Sequence, residues 1–154
     1  MAMSEWLIHI IFSFLSTIGF GIVTNIPRRA FIASGFTGVC GWLVFWQLKT
    51  HHMSLGGANF WAALLIGILS IYFSRKQKMP VIIFHIPSLF LLVPGGPAYL
   101  AIRLFISGNT SAAFTQISIV TITAASIAGA FMMSNLVERI VLKISNLQKK
   151  HKNC

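Results

Sequence analysis

The chain has 154 residues, 56% of them apolar and only 9% charged, against about 25% charged in an average soluble domain. With a mean hydropathy of +0.80 it has too little polar surface to coat a water-soluble globule and too much apolar surface to stay disordered. Twelve Lys and Arg face two carboxylates, Glu5 and Glu138, with no Asp, which excludes chemistry by carboxylate pairs and, with basic residues placed between long apolar runs, favours a membrane protein over a nucleic-acid binder.

Crossing the hydrocarbon takes about 20 helical residues. The first uncharged run, 6–24, fails as a signal peptide, because no Lys or Arg precedes it and Arg28-Arg29 follow it, the charge order of a retained helix entering with its N-terminus outside. The second run, 30–48, contains Cys40; with Cys154 at the end of the sequence, neither thiol fits a disulfide framework or a zinc spacing. His51 and His52 follow in a short loop with no third ligand nearby, so no metal site is expected. The third run is 56–73. A fourth, Val81 to Ile102, is interrupted by Val93-Pro94-Gly95-Gly96-Pro97; proline removes a donor and clashes with the preceding turn, so two half-helices with an irregular joint are expected. The last run is 112–137, and a basic tail follows from Lys143.

Counting positive charges decides whether the broken segment crosses. If it does, Arg28, Arg29, Arg75, Lys76, Lys78 and the five basic residues from Arg139 to Lys152 share one side, 10 of the 12, leaving Lys49 and Arg103 opposite. The expectation is an all-α, polytopic membrane helix bundle of about five transmembrane helices with a broken fourth segment, N-terminus outside and C-terminus cytoplasmic. Residues 1–142 form the membrane transporter domain and 143–154 a basic cytoplasmic tail, solvated or touching anionic lipid.

Small residues four apart let helices in lipid approach closely: Ser34 and Gly38, Thr37 and Gly41, Ala63 and Gly67, Ala125 and Gly129, and Ser126 and Ala130. Gly38, Gly67, Ala125 and Gly129 are therefore expected packing residues, within the bundle or between subunits. Thr115, Gln116, Ser118, Thr121, Thr123 and Ser126 either line a polar path or bond their own helix carbonyls. Of the ionisable groups inside the runs, His9 lies near the outer end, and His85 is either a proton relay or a neutral interhelical histidine.

The joint is the sharper feature. A broken helix exposes backbone amides, and the positive end of its second half receives a carboxylate. Pro97 suits the first turn of that half, and Tyr99 and Arg103, four apart, share a face leading away from it. Pro94, Gly95, Gly96, Tyr99 and Arg103 thus form a candidate site for an anionic or zwitterionic small molecule; the competing reading is a packing kink with Arg103 reaching the interface.

The order Asn25-Ile26-Pro27-Arg28-Arg29-Ala30, a Gly-rich run at 35–41, Pro80, then Val93-Pro94-Gly95-Gly96-Pro97-Ala98-Tyr99 resembles the threonine/serine exporter family, from about Gly19 to the last helix. It is similar to the short, separately encoded membrane subunit of the split type. The family elements are Asn25, Pro27, Arg28, Arg29, Pro80 and Ala98 beside the joint; Ser88 departs from the pattern, which places Gly after the proline. The resemblance implies a multi-pass secondary transporter of the bacterial cytoplasmic membrane exporting small hydroxy amino acids, with some split-type relatives linked to dicarboxylates such as succinate. It implies a partner too, a larger membrane subunit with a cytoplasmic hydrolase-like domain.

The leading expectation is therefore the small subunit of a two-component exporter of threonine, serine or a related small carboxylate, with no cofactor, no metal and no nucleic-acid partner. The alternative is a non-transporting scaffold for the larger subunit. A lipid-modifying enzyme is not expected, because Glu5 and Glu138 lie at opposite ends of the bundle.

Overall fold

A computed structural model describes the backbone of residues 3–152 and the side chains of residues 5–140. Helices α1 (Met3–Val23), α2 (Phe31–Thr50), α3 (Leu55–Gln77), α4 (Ile82–Leu89), α5 (Gly95–Ile106) and α6 (Thr110–Lys152) follow one another, with 3-10 turns at Arg28–Ala30 and Phe90–Leu92. Four of them, α1, α2, α3 and α6, are long and apolar enough to cross a membrane. The pair around the joint, bent by 51°, makes a fifth crossing if it counts as one span. Helix α6 continues unbroken across position 142, so no change of backbone marks the expected start of the tail; the tail's side chains lie outside the described residues.

Local chemistry sets the helix ends. Asn25 turns the chain after α1 at φ 53°, a conformation Asn tolerates better than most residues, and Pro27 precedes the 3-10 turn that carries Arg28 and Arg29. Ser54 caps α3 by accepting from the Gly57 N–H at 3.3 Å. Lys78 ends that helix in the left-handed region, and Pro80 then prevents its continuation. Gly108, at φ 82°, turns α5 into α6, and Asn109 Oδ1 accepts from the Ala112 N–H at 3.3 Å.

Helix α3 is central, packed on α2 and α6, with α1 and α4 against α2, and α5 against α6. Small residues make the close contacts. A Cβ on Gly38 would collide with Thr17 of α1, one on Gly41 with Ile66, and one on Gly67 would lie 2.6 Å from Ser134 Cβ. In lipid, where apolar surface gains nothing by leaving the solvent, such close backbone approach is a main source of packing energy. Ala62, Ala63, Ile66, Leu92 and Ala130 form one core cluster, and Ala30, Ala33 and Phe84 a second.

Candidate substrate site at the broken helix

The joint follows from its two prolines. Val93, preceding a proline, is pushed out of the helical region and sits at φ −66°, ψ 127°, so the turn ending at Leu92 cannot continue. Pro94 is the residue before α5, and Pro97 falls in that helix's first turn, where its missing N–H costs nothing. The Gly95 N–H donates to Val93 O at 2.8 Å and the Ala98 N–H to Pro94 O at 3.1 Å. The Gly96 N–H is left without a backbone partner at the positive end of α5.

Among the described residues nothing crowds the two glycines of the joint. A Cβ added at Gly95 or Gly96 would meet no atom within 4 Å. Tyr99 is 65% exposed and Arg103 is exposed, one turn apart on the same helix. The structure thus places Gly95, Gly96, Tyr99 and Arg103 along one open strip of α5, beginning at an unspent amide and ending at a guanidinium.

His85 faces elsewhere. Its ring stands edge-on to Phe131 of α6, with centroids 4.8 Å apart, and its Nε2 lies 3.6 Å from the position of a Cβ on Gly67 of α3. That nitrogen is buried with no hydrogen-bond partner. The structure therefore separates His85, inside the α3–α4–α6 contact, from the open strip of α5.

Pro80 O accepts from the Ile83 N–H at 3.2 Å at the entry to α4, and Ala98 is half-buried in the first turn of α5. Gly38 meets Thr17 and Gly67 meets Ser134, whereas Gly129 only grazes Phe60, whose ring lies 3.8 Å from a Cβ there, and Ala125 is exposed. The hydroxyls of α6 are spent on their own helix: Ser118, Thr121, Thr123 and Ser126 each donate to the carbonyl four residues back at 2.8–2.9 Å. Of the two readings of these groups, self-bonding within the helix is the one observed. At the other end, His9 Nδ1 accepts from Trp42 Nε1 at 3.2 Å, and His51 pairs with Gln47 at 3.2 Å.

Ser88, the departure from the family pattern, is a structural residue. Its buried hydroxyl donates to Ser34 O on α2 at 3.0 Å and to Phe84 O at 2.8 Å, tying the first half of the broken segment to α2. Ser34, Ser70 and Ser134 are buried as well, and among the described residues the Ser34 and Ser70 hydroxyls have no hydrogen-bond partner. Serines inside apolar runs are the signal that could have found them.

Residues 9–137 match the sequence profile of the family described as threonine/serine exporter, ThrE. The chain belongs to the threonine/serine exporter family. It is a multi-pass membrane protein of a transport family, in keeping with its four to five apolar spans. An uncharacterised protein of Haemophilus influenzae is 25% identical over 134 residues, covering 84% of this chain and 45% of that protein. The exporter-family chain thus spans about half the length of that relative. No solved structure matches it.

Proposed function

We propose that this chain is the small membrane subunit of a two-component secondary exporter of threonine, serine or a related small carboxylate in the bacterial cytoplasmic membrane. The observation that carries the reading is the open strip of α5. Among the described residues nothing crowds Gly95 and Gly96, the Gly96 amide there is unspent, and a phenol and a guanidinium follow along the next two turns of α5. A substrate carboxylate takes the Gly96 N–H at the positive end of α5 or the Arg103 guanidinium, and Tyr99 supplies a hydroxyl. In this reading the larger subunit closes the strip. Ten of the 12 basic residues on one side support an outside N-terminus and a cytoplasmic C-terminal tail. His85 is read as a neutral interhelical histidine rather than a proton relay, a reading supported by its ring against Phe131 and by a buried Nε2 with no partner to exchange a proton with among the described residues.

Efflux of labelled threonine and labelled succinate from cells expressing the chain with and without the larger subunit tests this. Export only by the pair supports it, and the preferred label names the substrate class. Gly95→Leu, Tyr99→Phe and Arg103→Ala are expected to abolish or sharply reduce export while the pair still copurifies. Unchanged export in all three removes the site and leaves the scaffold reading, in which the open Ala125 face of α6 does the work.

A further inference from the structure

One end of the bundle carries a concentration of positive charge that transport at the joint does not use. Arg28 and Arg29 lie in the 3-10 turn before α2, Arg75 and Lys76 in the last turn of α3, and Lys78 just beyond. Neither carboxylate of the chain lies on α2 or α3, so this charge meets no acidic side chain on either helix. Between the start of α2 and the end of α3 runs a groove of about 470 Å³. Arg29, Lys76 and Gln77 line it, and so do Ile32, Ala33, Phe36 and Phe73.

The groove is graded. From Arg29 to Phe36 is about two helical turns, or about 10 Å along the axis, which separates a cationic mouth from an apolar floor. Phe36 and Phe73 meet edge to face, with centroids 6.2 Å apart, and Ile32, 76% exposed, forms an open wall. The Gln77 Oε1 is buried with no partner among the described residues.

We propose that this groove binds an anionic glycerophospholipid, with the phosphate between Arg29 and Lys76 and one acyl chain along Ile32, Phe36 and Phe73. Charge complementarity selects the anionic headgroup, since two cations in a groove lined by no carboxylate gain little from a zwitterion. The apolar floor selects a lipid over a free phosphate, because only an acyl chain covers Ile32 and Phe36. The Gln77 amide offers an acceptor for a headgroup hydroxyl. The proposal is independent of the substrate and of the partner subunit.

Native mass spectrometry of the purified chain, titrated with phosphatidylglycerol, phosphatidylethanolamine and glycerol 3-phosphate, tests it. Wild type is expected to retain phosphatidylglycerol in preference to phosphatidylethanolamine. Arg29→Gln with Lys76→Gln is expected to weaken phosphatidylglycerol about thirtyfold, taking about 1 kcal/mol per basic residue near an anionic headgroup. Arg75→Gln with Lys78→Gln, which removes equal charge outside the groove, is expected to leave the affinity within about threefold. Ile32→Ser, which changes no charge, is expected to weaken the lipid and decides the matter should the first double variant fail to fold. Equal losses in the two double variants would show diffuse attraction and overturn the site. So would undiminished binding after loss of Arg29 and Lys76, or glycerol 3-phosphate competing as well as the intact lipid.

Discussion

Gly67→Ala tests the central packing contact. The new Cβ would lie 2.6 Å from Ser134 Cβ and 2.7 Å from its Oγ, and 3.6 Å from His85 Nε2. Ordinary carbon contact begins near 3.4 Å, so α3 and α6 must part by about 0.8 Å or Ser134 must move. Ser134 is fully buried and its hydroxyl donates to Phe131 O at 3.0 Å, so it has little room to give. Overpacking of this kind costs about 1–3 kcal/mol. Ser134→Gly removes the obstructing atoms, and the double variant is expected to recover most of the loss, a coupling of about 1–2 kcal/mol. Reversible unfolding in mixed micelles by increasing SDS, read by Trp fluorescence, measures all four corners of the cycle. Strict additivity of the two substitutions, or a Gly67→Ala chain as stable as wild type, would refute the contact between α3 and α6.

His85→Leu removes a buried nitrogen with no partner, so the same unfolding assay is expected to show stability unchanged or raised by about 1–2 kcal/mol; a loss of stability would mean that Nε2 has a partner. Ser88→Ala deletes the hydroxyl that bonds Ser34 O, with an expected cost of about 1 kcal/mol and faster amide exchange in α4 than in α3, read by hydrogen–deuterium exchange. Asn25→Val forces a β-branched residue to φ 53° and is expected to cost about 1–3 kcal/mol, while Asn25→Gly is neutral within about 0.5 kcal/mol; equal effects would rule out backbone strain as the cause.

The spans were legible because the bilayer imposes a length and a polarity that this sequence meets run by run, and the joint was legible because Pro94 and Pro97 leave the backbone no regular alternative. Packing partners were only half legible. Spacing by four places Ala125 and Gly129 on one face of α6 but does not say which residues are buried; among those described they are Ala113, Thr123, Ala130 and Ser134, and Ser134 meets Gly67 of α3. The role of the α6 hydroxyls stayed open for a related reason, since a threonine lining a path and one bonding its own helix carbonyl have the same sequence. The Arg29–Lys76 groove was invisible because its two cations are 47 positions apart and only the antiparallel course of α2 and α3 brings them to one mouth.

The bend at the joint has a mechanical side. Helix α5 is 12 residues, about 18 Å, long, and it packs along α6 while its root rests on two glycines that no neighbouring atom restrains. A pivot of about 10° at Gly95-Gly96 sweeps the Ile106 end through about 3 Å, comparable to the width of a water molecule. The first half of the segment is tied to α2 by the Ser88 hydroxyl instead. One half is thus tied to α2 and the other packed along α6, so the two halves of the broken segment answer to different neighbours, and the helix that carries Tyr99 and Arg103 answers to α6.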